Sequence, residues 1–447
     1  VPTTADDERR INAIRFLAVD AIQKANSGHP GLPLGAAAAA YALWTRHLKH
    51  DPSDPHWFDR DRFVLSAGHG SMLLYALLHL TGYGVSLDDL KSFRQLGSIT
   101  PGHPEVHLTP GVEATTGPLG QGISNAVGLA IAEAHLAARY NTAQATVIDH
   151  FTYTLVSDGD LMEGIAAEAA SLAGHLRLGK LIALYDDNKI SLAGPTEVTF
   201  TEDVAKRFEA YGWHTQTIAI GSGNDAGAID AAIADAKSAT DKPSLILIRT
   251  HIGYGSPKQD NASSHGSPLG AENVKLTKEK LGWPVEPLFY VPEDVAAWWR
   301  ENGARGAQTH AAWDATYAAW KAAEPVLAAE FERTRDGKLP AELPWPTITA
   351  ENGSAMTRIV GGQTMNAIAA ALPELIGGSA DLDPSTETYL KGQGDFEPGN
   401  FGGRNIHYGV REHAMGAVAN GIALHGGLLP YTATFFNFLD YMKGAVR

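Results

Sequence analysis

Three short apolar runs, each ending in polar residues and separated by helical patterns, constrain the fold of this chain more than any other feature. Tyr153-Thr154-Leu155-Val156-Ser157 stops at Asp158-Gly159, Leu181-Ile182-Ala183-Leu184-Tyr185 stops at Asp186-Asp187-Asn188, and Leu245-Ile246-Leu247-Ile248 runs into Arg249-Thr250. The alanine-rich segment Ala126–Tyr140 and the segment Ile165–Leu176 read as helices around them. A strand that is apolar on both faces has to be covered on both faces. In a chain that alternates strand and helix, this implies a parallel sheet between helical layers. Such sheets build their ligand sites at the carboxyl ends of the strands, where the polar residues of these runs fall.

This α/β pattern is expected to hold to about residue 265. Beyond it, Asp294 to Arg335 is helical in pattern, and Pro340, Pro344 and Pro346 punctuate a linker. A second αβ pattern then begins: a helix from Arg358 to Leu372, strand and loop over Leu375–Asp381, the segment Tyr408–Arg411, a helix over Ala414–His425, and Leu428–Thr434. That is about three strands, fewer than an α/β domain usually holds, so the second domain is expected to be incomplete at its C-terminal side.

Composition removes several classes of function. With 35 Lys and Arg against 50 Asp and Glu, the formal charge of −15 repels phosphodiester backbones, and no nucleic-acid partner is expected. The absence of cysteine removes disulfides, thiolate nucleophiles and Cys-based zinc sites together. No stretch approaches the roughly 20 apolar residues of a membrane span. The run Ala36–Trp44 reads as a buried helix, and the first residues lack the basic and apolar regions of a signal peptide. A cytoplasmic protein without membrane association is expected.

Chemistry is expected at the strand ends. Asp158 and Asn188 follow successive strands, and a carboxylate and an amide oxygen there can share one hard cation, Mg²⁺ or Ca²⁺, bridging to a diphosphate. Two ordinary strand-end turns are the competing reading. Gly117-Pro118-Leu119-Gly120-Gln121-Gly122 opens the Ala126 helix and is suited to cradling a phosphate with backbone N–H groups. Four further loops, around His29, His69, His103 and His265, each set a histidine beside glycine, which suggests a polar cleft that binds hydroxyls and moves protons.

The Ser157-Asp158-Gly159 to Asn188 spacing resembles the thiamine-diphosphate motif, Gly-Asp-Gly followed after nearly thirty residues by Asn, with Ser157 in place of the first Gly. With the glycine-rich and histidine loops, and Tyr408-Gly409-Val410-Arg411-Glu412-His413, the chain resembles the transketolase family from about Ile14 to its last residue. The resemblance implies a parallel-sheet thiamine-diphosphate-binding fold. A diphosphate-binding domain would span 1–320, a linker 321–353 and a pyrimidine-binding domain 354–447, the chain being the N-terminal two-thirds of the usual length. It also implies thiamine diphosphate and Mg²⁺ (or Ca²⁺) as cofactors. Reversible two-carbon ketol transfer between sugar phosphates would follow, via a thiamine-diphosphate carbanion, in the pentose phosphate pathway and in a homodimer with active sites at the interface.

By the same resemblance, His69, Gly117, Pro118, Leu119 and Gly159 contact the cofactor, and Asp158, Asn188 and the Ile190 carbonyl hold the metal. His29, His103 and His265 line the substrate channel, and Glu163 joins a proton network across the dimer. In the second domain Glu412 activates the aminopyrimidine. Phe435, Phe438 and Tyr441 flank it, though their helical spacing read alone would make them core. Asp381 approaches the cofactor, and Arg358 and Ser385 grip the substrate phosphate. A dihydroxyacetone synthase, a deoxyxylulose-phosphate synthase and a non-catalytic cofactor-binding or dimerisation fragment are the alternatives.

Overall fold

Strands β1 (Arg62–Leu65), β2 (Thr152–Ser157), β3 (Leu181–Asp186), β4 (His214–Ile218) and β5 (Ser244–Ile248) form one sheet in the order β1-β2-β3-β5-β4, every neighbouring pair parallel. They are seen in a computed structural model that describes residues 2–219, 221, 223–349 and 355–447. The end of the expected linker, 350–353, and residue 354 lie outside the described residues.

The three runs read from sequence are the central strands, and all of their residues are buried. Their register sets Ser157 opposite Asp186 and Asp186 opposite Ile248. The chain therefore leaves the sheet at one level at Asp158, Asp187 and Arg249. β4, His-Thr-Gln-Thr-Ile, is an edge strand and only partly buried, which is why it carries polar residues. Helices Ala37–Arg46 and Ser71–Thr81 are buried on nearly every face, and Ala5–Ala25 buries Ile11, Ile14, Phe16, Leu17 and Ile22 in the same core. Each of these larger side chains contributes about 2 kcal/mol of apolar burial. Thr4 and Asp7 start the first helix with a reciprocal capping box.

Contacts divide the chain into two units. One holds Val1–Ile123, His150–Gly164 and Gly179–Ala312, with the whole five-stranded sheet. The other holds Ser124–Asp149, Ile165–Leu178 and Trp313–Arg447, so two helices placed by sequence beside the first sheet, 124–140 and 165–175, are built into the second unit. Among the described residues its sheet has two parallel strands, β6 (Leu375–Ser379) and β7 (Leu429–Ala433), where three were expected. The segment lying on the edge of β6 is Arg404–Ile406, through Gly377 N–H to Arg404 O (3.0 Å) and Ile406 N–H to Gly377 O (2.7 Å). Tyr408–Arg411 is loop, because it is already turning into the helix Glu412–His425. The segment 325–335, inside the expected linker, is a helix opened by Pro325. Among the described residues no helix is long and apolar enough to cross a membrane.

Candidate active site

In the first unit, Asp158 leaves β2 and is buried to 2% exposure. One carboxylate oxygen accepts the Tyr185 hydroxyl, while Oδ2 has no partner among the described residues. Burial pushes the Asp158 carboxyl up to about 7, the Tyr185 hydroxyl works against this, and the nearby Asp187 and Asp186 add to it. A buried acceptor left open among other carboxylates is what a dication would satisfy. On the adjacent strand end, Asn188 Nδ2 donates to Asp186 Oδ2 (2.9 Å) and Oδ1 accepts the Ile190 N–H (2.9 Å), leaving the amide oxygen a second lone pair. Among the described residues no three His, Cys, Asp or Glu side chains converge as a metal site. The candidate donors are instead one carboxylate, one amide and the Ile190 carbonyl. Such a set is all oxygen, as Mg²⁺ or Ca²⁺ requires, and leaves positions for a diphosphate.

The glycine-rich loop is pressed against its neighbours. A Cβ at Gly68 would lie 2.5 Å from the Gly117 nitrogen, one at Gly122 2.5 Å from Ser66 Cα, and one at Gly159 2.8 Å from Leu119 Cδ1. Gly117 also has φ +134°, open to glycine at little cost. The loop leads into the 20-residue helix Gln121–Tyr140, and Gly120 N–H donates to Asp160 Oδ1 (2.9 Å), Gln121 N–H to Pro118 O (3.3 Å) and Ile123 N–H to Ser66 Oγ (3.0 Å). Close-packed glycine backbone and an open carboxylate oxygen fit a diphosphate with its cation.

The four histidine loops meet. Ring centroids of His29 lie 5.2 Å from His69, 5.7 Å from His265 and 6.4 Å from His103, and His69 stacks on His265 at 5.0 Å. Burial, reinforced by the neighbouring imidazoles, lowers His29 to about 4 and holds His69 well below the usual value. Burial also lowers His103 and His265. Near neutral pH these rings are uncharged, each with one donor and one acceptor, and His29 Nδ1 is buried without a partner among the described residues. Glu163 is exposed, at the end of the short helix Asp158–Met162.

In the second unit Glu412 is the first residue of its helix, 8% exposed, with Thr434 Oγ1 donating to Oε1 at 3.3 Å. Sequence reading had not singled out Glu168, whose Oε2 accepts the Ala414 N–H (2.9 Å), or Ser171, whose hydroxyl accepts from Arg411 (3.1 Å). Both lie on the helix Gly164–His175 and brace the turn that carries Glu412. Phe435 and Tyr441 are 44% and 68% exposed, so the core reading of their spacing does not hold. Phe438, half-buried, joins them by ring contacts of 5.9 Å on either side, making an aromatic surface next to Thr434. Asp381 has φ +62°, which Asp tolerates better than most residues, and it is exposed, as are Arg358 and Ser385. Among the described residues no hydrogen bond or ion pair joins these three.

A parallel sheet whose strand ends carry a buried, open carboxylate and a neighbouring amide, in the unit that also holds the glycine-rich loop and four uncharged histidines, fits a protein that binds a diphosphate cofactor. The model of the family described as "Transketolase, thiamine diphosphate binding domain" matches residues 6–340, and that described as "Transketolase, pyrimidine binding domain" matches 354–447. The chain is 58% identical to a transketolase of Nostoc sp. over all of its own length and 67% of that relative's. It is 55% identical to one of Geobacillus stearothermophilus over 99% of its length and 66% of that relative's. Among solved structures, a Pichia stipitis transketolase in complex with sedoheptulose-7-phosphate superposes with TM-score 0.97 at 48% identity, over 99% of this chain and 66% of that one. A Leishmania mexicana transketolase superposes with TM-score 0.96 at 46% identity, over 98% and 66%. The chain belongs to the transketolase family and spans about two thirds of the length of these relatives.

Proposed function

We propose that this chain is the cofactor-binding part of a transketolase, moving two-carbon ketol units from a ketose phosphate such as xylulose 5-phosphate to an aldose phosphate such as ribose 5-phosphate. The observation that carries the reading is the open, buried Oδ2 of Asp158 in the unit that also gathers the glycine loop and four neutral histidines. In this reading residues 1–320 bind the diphosphate end, 321–353 link, and 354–447 belong to the pyrimidine end. Asp158, Asn188 and the Ile190 carbonyl hold Mg²⁺ or Ca²⁺, while His69, Gly117, Pro118, Leu119 and Gly159 line the diphosphate.

When bound, thiamine diphosphate would supply an acidic ring carbon as a nucleophile and a ring able to accept electrons. Glu412, kept from water at its helix N-terminus, holds a proton at the pyrimidine N1′ nitrogen. The neutral His29, His103 and His265 give and take protons at sugar hydroxyls, which charged imidazolium groups could only give. Arg358 and Ser385 grip the substrate phosphate, Asp381 faces the cofactor, and Phe435, Phe438 and Tyr441 offer an apolar wall to the pyrimidine.

The exposure of Phe435, Tyr441 and Glu163 supports a homodimer in which a partner covers them and completes the site. A cytoplasmic enzyme of the pentose phosphate pathway agrees with the acidic, cysteine-free composition. The test is turnover of xylulose 5-phosphate and ribose 5-phosphate with thiamine diphosphate and Mg²⁺, both in this chain and in one extended to the relatives' length. Cofactor binding without transfer in the extended chain would reduce the reading to a binding fragment.

A further inference from the structure

We infer that Asp160 is a positioning residue that clasps three loops of the first unit together: the cation loop, the phosphate loop and the loop carrying His69. The side chain is wholly buried and uses both oxygens twice. Oδ1 accepts the Ser66 hydroxyl (2.7 Å) and the Gly120 N–H (2.9 Å), and Oδ2 accepts the Ser157 N–H (2.9 Å) and the Ser157 hydroxyl (3.0 Å). Ser66 Oγ in turn accepts the Ile123 N–H at 3.0 Å, so the clasp reaches the first turn of the helix Gln121–Tyr140. Ser66 opens the segment Ser66-Ala67-Gly68-His69, Gly120 lies in the glycine-rich loop, and Ser157 immediately precedes Asp158. One carboxylate is the common acceptor of all three.

This arrangement also accounts for the serine that replaces the first glycine of the motif. Ser157 is extended, at φ −117° and ψ 172°, so no glycine is required there, and its hydroxyl supplies the fourth bond to Asp160. A carboxylate offers about four acceptor sites and no donor, which matches the four donors it meets. Four bonds converging on one fully buried side chain hold the loops together before any ligand arrives. Preorganisation of this kind places the Gly120 region and Asp158 at a fixed separation, which a diphosphate–cation pair bridging them requires.

Asp160→Asn tests the inference without changing side-chain volume. An amide keeps one oxygen but turns an NH₂ group towards either Ser157 or Gly120, so two donors face each other and one loop is released. In the cofactor-free chain the released amide, Gly120 or Ser157, should exchange about tenfold faster or more, the scale of one lost buried hydrogen bond. Resting on the functional reading above, the calorimetric Kd for thiamine diphosphate in Mg²⁺ should weaken by a similar factor. Unchanged exchange at both Gly120 and Ser157 together with unchanged Kd would overturn the clasp. So would a lowered melting temperature with wild-type affinity in the folded fraction, since that is what a purely structural residue gives. Should Asp160→Asn fail to fold, Ser66→Ala removes a single arm, and faster exchange at Ile123 with a few-fold weaker Kd is then the expected result. In that variant, wild-type exchange at Ile123 together with wild-type Kd overturns the inference. A wild-type chain that does not bind thiamine diphosphate would defeat the functional reading, while exchange at Gly120 and Ser157 would still decide the clasp.

Discussion

Gly128 and Gly421 meet where the helix 124–140 of the second unit crosses Glu412–His425: a Cβ placed on Gly128 would lie 2.9 Å from the Gly421 Cα. The same Cβ would come within 2.1 Å of the Val418 carbonyl oxygen, and one on Gly421 within 2.0 Å of the Asn125 carbonyl oxygen. Each is backbone, so no rotamer change relieves the contact, and the helices approach only because neither residue has a side chain. The helix held in this way is the one that begins with Glu412.

Gly421→Ala should therefore force the helices apart. In an isolated helix the change would be mildly stabilising, by up to about 1 kcal/mol. Here overpacking should prevail, with a net loss of about 2 kcal/mol or more in urea unfolding. A variant as stable as the parent would mean that the crossing is not tightly packed.

What sequence revealed and what it concealed follow one physical line. β2, β3 and β5 were legible because both of their faces are buried and every residue is constrained to fit. β4 was not, since at the sheet edge His214, Thr215 and Gln216 are only half-buried and the hydrophobic pattern is lost. The histidines were legible because each stood beside glycine in a loop, a local signal, and the ring distances then confirmed that they converge. Asp160 gave no comparable signal: beside Asp158-Gly159 it reads as one more turn residue. Its four bonds come from positions as far as 94 residues away, which no local pattern encodes. Phe435 and Tyr441 misled when read alone because helical apolar spacing is the same whether the covering surface belongs to the core or to something outside the chain.

Cation dependence should reside in Asp158. Asp158→Ala removes the only carboxylate in the proposed donor set and opens a buried space among carboxylates. Affinity for thiamine diphosphate should fall at least about 100-fold, the size expected for loss of a buried charged partner, and addition of EDTA should then change it little. Calorimetry with and without the chelator checks this, and equal wild-type affinity in the two conditions would remove the cation from the reading.

Glu412→Gln should separate chemistry from folding. Gln can still accept from Thr434 Oγ1, and losing a negative charge at the first helical position costs about 0.3–1 kcal/mol. The melting temperature should move by a few degrees at most. Exchange of the acidic ring-carbon proton in the cofactor-loaded protein, followed by NMR, should slow on the order of 100-fold or more, as for removal of a general acid–base group. Wild-type exchange would transfer the role to another residue.

The histidine cluster should make stability fall on the acid side of neutrality. His29 titrates at about 4 in the folded chain, against about 6.5 for an unperturbed imidazole. Between those values the unfolded chain binds a proton that the folded chain does not, so acid favours unfolding. The contribution of His29 is complete above about pH 6.5, declines as pH falls, and stops changing below about 4. His69, His103 and His265 shift in the same direction, chiefly by burial, and add to the slope. His29→Gln replaces a titrating ring with a neutral polar group. It also removes one of the charges that lower His69, whose protonation should become easier. Urea unfolding between pH 7.5 and 4.5 should therefore show a shallower loss of stability for the variant than for the parent. Parallel curves would mean that His29 protonates as readily in the folded chain as in the unfolded one, contrary to its burial among three other imidazoles.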